Sequence, residues 1–115
     1  WKILQQKKPD DFVIATGKTI SVKEFINECC KYLKLKLLWK GKGLNERAYL
    51  VNGTKLKLII KVDKKYYRPL EIDYLKGNPK KAINTLKYKL KYNLKDLVKD
   101  MLDSDIKIAK LNQQK

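Results

Sequence analysis

Phe12-Val13-Ile14-Ala15-Thr16, followed by Ser21-Val22-Lys23-Glu24-Phe25 and then Leu37-Leu38-Trp39, decides the fold class. The first run is short and almost continuously apolar, which suits a strand buried on both faces of a parallel sheet. Ser21 and Glu24 have the spacing of a capping box, so a helix opens there. Val22, Phe25, Ile26, Cys29, Cys30 and Leu33 recur at i, i+3, i+4, i+7, i+8 and i+11, the stripe of an amphipathic helix. Both cysteines fall on that stripe, which assigns them to packing; as neighbours they cannot staple a loop and match no zinc spacing. Leu37-Leu38-Trp39, closed by Gly41 and Gly43, reads as a second strand. Strand, helix, strand in this order predicts a βαβ unit and an α/β fold.

Upstream, Trp1-Lys2-Ile3-Leu4-Gln5-Gln6 reads as helix broken by Pro9-Asp10-Asp11. Opening inside an element, the sequence is expected to be part of something longer. Downstream, residues 41–54 read as a loop with a possible hairpin at Asn52-Gly53. Leu56, Leu58, Ile60 and Val62 then alternate with Lys55, Lys57, Ile59 and Lys61, a half-exposed strand with lysines outward. A short helix is predicted from Pro69 to near Gly77. Asn78-Pro79 caps another with Ala82, Ile83 and Leu86 on one face. Asn93 caps the last, with an inner face of Leu94, Leu97, Val98, Met101 and Leu102.

Its 115 residues make one domain or part of one, and 43% apolar content supports a core. The formal charge is +16 from 28 basic residues, of which only Arg47 and Arg68 are arginine. Lysine spread along the whole length is the mark of solvated faces, where a sequence-specific nucleic-acid reader concentrates arginine. Weak, salt-sensitive adhesion to polyanions is expected; a specific nucleic-acid partner is not. No apolar run approaches a membrane span, and a cytoplasmic location is expected. The chain holds no histidine, which excludes histidine acid–base chemistry, a Ser-His-Asp triad and histidine metal sites from it.

Tyr66-Tyr67-Arg68-Pro69-Leu70-Glu71 carries the candidate site. An arginine kept in so lysine-rich a chain suggests planar, two-pronged recognition of phosphate or carboxylate. Pro69 suits the first helical position, which leaves Arg68 extended before it and Glu71 in the first turn. Arg68 could take a phosphate while Glu71 accepts from sugar hydroxyls. A helix start with a surface ion pair is the competing reading. Three other patterns fall away. Thr16-Gly17-Lys18-Thr19 lacks the earlier glycine of a P-loop, having Phe12 in its place. Tyr32 and Lys36 have dehydrogenase spacing but sit at a helix end with no glycine-rich cofactor motif upstream. Asp96, Asp100, Asp103 and Asp105 balance lysines on a helix surface.

Taken together, Asp10 to Gly17, Ser21 to Phe25, Trp39 to Gly43, Val62-Asp63, Tyr67-Arg68-Pro69 with Glu71-Ile72-Asp73, and Gly77 to Ala82 closely resemble the C-terminal part of the GDP-mannose 4,6-dehydratases. These are extended short-chain dehydrogenases/reductases. The resemblance runs from Trp1 to about Lys110. It implies a Rossmann-type α/β enzyme, a lyase of GDP-fucose biosynthesis, of which residues 1–115 form the C-terminal substrate-binding part. In that family NADP oxidises the mannosyl C4, water leaves across C5 and C6, the hydride returns to C6, and GDP-4-keto-6-deoxymannose results.

By the same resemblance, the cofactor motif and all catalytic groups belong to an N-terminal part outside this chain. Arg68 would contact the nucleotide diphosphate and Glu71 the ribose. GDP-mannose is the implied ligand, and the full-length enzyme is implied to be a homo-oligomer. The chain alone is expected to be inert. It departs from the family at Leu70, Asn78, Tyr88-Lys89-Leu90, Ile20, Lys18 and Lys40, and at neither Arg68 nor Glu71. The alternatives are another nucleotide-sugar epimerase or dehydratase, or a basic nucleic-acid-binding module.

Overall fold

Ser21 caps the first helix in both directions. In the computed structural model, which describes residues 1–68, 72 and 74–113, the Ser21 hydroxyl accepts from the Glu24 amide at 3.1 Å. The Glu24 carboxylate accepts in return from the Ser21 amide at 2.6 Å. Those bonds from the Ser21 backbone and hydroxyl hold the Glu24 carboxyl below its ordinary value. Its stabilisation is therefore complete at neutral pH and fades as pH falls through the folded-state value. Helix α1 spans Val22–Tyr32. Left-handed Lys34 (φ 56°) ends it: its amide donates to the Lys31 carbonyl at 3.1 Å, and that of Leu35 to the Cys30 carbonyl at 2.8 Å. These two bonds are the Schellman closure.

Three antiparallel strands follow, β1 (Leu37–Lys40), β2 (Arg47–Asn52) and β3 (Lys55–Lys61), in that spatial order. β2 lies where the sequence reads as loop. Its Ala-Tyr-Leu-Val centre shows no clean alternation because a central strand is bonded on both edges and partly covered. The hairpin is present, with Asn52 opposite Lys55 and Gly53 at φ 58°, where a II′ turn puts its glycine. Alternation in β3 is broken: Ala48 pairs with Ile60 but Tyr49 with Leu58, so Ile59 is an extra residue in a bulge. Ile60 therefore faces one side of the sheet and Leu56 and Leu58 the other.

Between β1 and β2, Gly41 has φ 81°, and a Cβ there would run into the Asn45 carbonyl. Gly41→Ala is expected to destabilise this part of the protein by about 1–3 kcal/mol, read from urea unfolding followed by circular dichroism.

Helix α2 spans Lys80–Leu86 and α3 spans Leu94–Asn112. The chain divides into two units, one of Trp1–Ile20 with Ile72–Asn93, the other of Ser21–Glu71 with Leu94–Lys115. In the second unit α1 packs on α3, and the buried residues are Ala48 and Val98. The inward positions of α3 are Leu94, Val98, Leu102 and Ile106, while Leu97 and Met101, expected inside, are exposed. The apolar arc of this helix is wider than one neighbouring helix covers. Cys29 and Cys30 are half-buried free thiols, and burial, with Cys29 beside it, pushes the Cys30 thiol up.

In the first unit the Asn78 side chain accepts from the Lys80 amide at 3.1 Å, and Ala82 and Leu86 form the core. The predicted Phe12–Thr16 strand is absent. Val13 and Ile14 are 54% and 60% exposed, and this segment is tied instead by the Tyr88 hydroxyl donating to the Ala15 carbonyl at 3.4 Å. Gly77 admits Ala15 closely; a Cβ on it would lie 2.7 Å from that of Ala15. A parallel strand takes its hydrogen bonds from flanking strands. The only strands among the described residues pair with one another in the other unit, so no βαβ unit forms there.

Nor is Trp1–Gln6 a helix; it holds isolated i to i+3 bonds, Gln5 to Lys2 and Gln6 to Ile3. The helix predicted from Pro69 falls largely outside the described residues, and Ile72 and residues 74–77 are not helical. Helices and strands are mixed as an α/β class requires, but the sheet is antiparallel rather than parallel. No helix among the described residues is long and apolar enough to cross a membrane.

Candidate functional site

Asp63 shapes the segment that carries Arg68. At the end of β3 its carboxylate accepts from the Lys65 amide at 3.0 Å, and its carbonyl accepts from the Tyr66 amide at 3.1 Å. A carboxylate two residues before a free amide is the local bond that starts a turn. One 3₁₀ turn, Lys64–Tyr66, results, and Tyr67 leaves it extended at φ −72°, ψ 127°. Arg68 is thus brought out on extended backbone, the conformation that a following proline imposes.

The turn and the end of the strand enclose a shallow depression of about 270 Å³, lined by Val62, Asp63, Tyr66, Tyr67 and Arg68. Both tyrosines and Arg68 are exposed, and the Lys65 ammonium lies 5.4 Å over the Tyr66 ring. Among the described residues no carboxylate pairs with Arg68. A free guanidinium beside two aromatic rings and a carboxylate can take a ligand that joins an anion to a planar or hydroxylated group. Glu71, the second residue expected here, lies outside the described residues, as do Pro69 and Leu70. Reading the sequence missed the part of Asp63, whose signal is an aspartate two residues ahead of the lysine whose amide it caps.

The patterns set aside have other duties. Tyr32 donates to the Asp103 carboxylate at 2.7 Å, and Lys99 pairs with the other oxygen of that group at 2.7 Å. Those two bonds hold the Asp103 carboxyl below its ordinary value, and the bond to Asp103 holds the Tyr32 phenol above its own. Thr16 closes a tight turn by accepting from the Lys18 amide at 3.2 Å, with Gly17 at φ 71°. Among the described residues no group of three or more acids or cysteines could hold a metal ion. A pyrophosphate-bearing dinucleotide sits at a helix opening off a parallel strand; the described residues contain no such pair and do not fit one.

A family model described as GDP-mannose 4,6 dehydratase matches residues 1–101. Among curated proteins, the GDP-mannose 4,6 dehydratase of Dictyostelium discoideum is 44% identical over 110 residues, 96% of this chain and 30% of that protein. GDP-mannose 4,6 dehydratase 2 of Caenorhabditis elegans is 47% identical over 106 residues, covering 92% of this chain and 27% of the relative. The Homo sapiens enzyme is 37% identical over 112 residues, 97% of this chain and 30% of its own. The chain therefore spans under a third of the length of these relatives, and the matched portion is their C-terminal part.

Proposed function

Because the chain belongs to the GDP-mannose 4,6-dehydratase family, we propose that it forms the substrate-binding part of such an enzyme and that Arg68 grips the diphosphate of GDP-mannose. The observation that carries this reading is the exposed guanidinium, unpaired among the described residues, in a depression with Tyr66, Tyr67 and Asp63. A planar fork accepts two diphosphate oxygens at once, which a lysine ammonium cannot do with the same geometry. Glu71, three positions on, accepts from the ribose hydroxyls. The chain's own residues thus bind and orient the nucleotide and move no proton or hydride.

On this reading the complete protein is a lyase of the Rossmann-type short-chain dehydrogenase/reductase class. Its product is GDP-4-keto-6-deoxymannose, on the way to GDP-fucose. It works as a cytoplasmic homo-oligomer. NADP and the catalytic groups are supplied outside these residues, which do not fit a dinucleotide, and the chain alone is inactive. Titration of the intact protein with GDP, UDP and dTDP by calorimetry tests the assignment. GDP is expected to bind at least about tenfold tighter than the other two, roughly 1.4 kcal/mol. Equal affinities would move the chain to another nucleotide sugar.

A further inference from the structure

The two faces of the β1–β3 sheet differ in what covers them. On one, α1 lies over Trp39, whose indole N–H donates to the Asn27 side chain at 2.8 Å, and Ala48 beneath is fully buried. The other face is open. Cross-strand partners share a face, so the pairs Leu38 with Tyr49 and Tyr49 with Leu58 form an apolar row there. Leu56, paired with Val51, extends it; Leu38, Leu56 and Leu58 remain 40%, 43% and 44% exposed. Beside this row, Lys40 pairs with Arg47 and Arg47 with Lys61, three exposed cations side by side. Like charges directly opposite one another destabilise a sheet, and none of the four ion pairs among the described residues involves these three.

We propose that this open face docks an amphipathic helix of a partner protein, acidic along one edge. A sheet with apolar residues on both faces is completed by a layer on each side. Three strands spaced by about 4.8 Å make a strip roughly 10 Å wide, the breadth of one helix. A helix crossing the strands carries side chains at i and i+4 about 5–6 Å apart, close to the strand spacing, so successive carboxylates meet successive cations. Its apolar stripe then lies on the Leu38–Tyr49–Leu58 row, which runs parallel to the cation row. A second copy of this chain, with net charge +16, would bring repulsion where the row calls for negative charge.

The test is fluorescence anisotropy of a labelled synthetic amphipathic helix, leucines on one face and glutamates along one edge, titrated with the intact protein at physiological salt. Saturable binding is expected. Reversing Lys40, Arg47 and Lys61 together to glutamate should weaken it at least about tenfold, and so should Leu58→Ser. Reversing the exposed Lys7, Lys8 and Lys76 of the first unit, an equal change of charge, should alter it less than about twofold. Circular dichroism confirms that each variant folds. Equal weakening by both triple variants would reduce the effect to general attraction for polyanions and overturn the proposal. It is overturned equally if phosphatidylserine vesicles or single-stranded RNA, but not the peptide, bind in a way lost with Lys40, Arg47 and Lys61. Sedimentation showing a dimer that Leu58→Ser dissociates would assign the face to a second copy instead.

Discussion

Arg68→Ala in the intact protein is expected to weaken GDP-mannose binding by about 2–4 kcal/mol, the scale for truncating one partner of a desolvated, charge-assisted pair. In affinity this is roughly 30- to 700-fold. The loss arises on binding, because the free guanidinium stands at the surface with no carboxylate partner among the described residues. Removing it should leave the unfolding transition in place while emptying the site. Arg68→Lys should recover part of the affinity, since it keeps the charge and loses the planar fork. Because the contact holds the substrate before and during the reaction, KM should rise with little change in kcat. Calorimetric titration of both variants, with circular dichroism as the control for folding, checks each statement. Unchanged affinity in Arg68→Ala would remove the residue from the site.

The second large effect is on stability. Val98 is 1% exposed, the largest fully buried side chain among the described residues, on the face of α3 that meets α1. Val98→Asp would place a carboxylate there with no water, and no cation is supplied by the surrounding apolar contacts. A destabilisation of at least about 3 kcal/mol is expected, the scale of an unpaired buried charge. Val98→Ala, which removes only methyl groups, should cost less, about 1–3 kcal/mol. Urea unfolding of the two variants against the parent protein measures both. If Val98→Asp proved near neutral, α3 would not be seated on α1 by this face.

Local signals were the legible part of the fold. Ser21 with Glu24, Asn78 before Lys80, and the stripe through Phe25 and Ile26 each depend on neighbours within a turn or two. Each produced the expected helix or cap. What failed depends on partners distant in sequence. The run Phe12–Thr16 has the composition of a central parallel strand, yet composition supplies no flanking strands to bond it, and the backbone is left extended and exposed. β2 was hidden because a strand between two others needs no alternation. The bulge at Ile59 was invisible because Leu56, Leu58 and Ile60 alternate perfectly in sequence and only pairing with Ala48 and Tyr49 splits them between faces.

For the candidate site, sequence identified Arg68 through the rarity of arginine and its proline neighbour. The wall beside it could not be read the same way. Asp63 takes its place by a bond to the Lys65 backbone, and Tyr66 and Tyr67 take theirs from the turn that this bond starts. The open sheet face escaped for a related reason. Lys40, Arg47 and Lys61 are unremarkable among 28 basic residues until strand register sets them in one row.

A crystal structure of the intact protein with GDP-mannose bound tests the central claim most directly. The Arg68 guanidinium should lie within hydrogen-bond distance, about 2.7–3.2 Å, of a diphosphate oxygen, with the nucleotide resting in the depression beside Tyr67 and Asp63. A diphosphate held by other residues, with Arg68 left facing solvent, would contradict it.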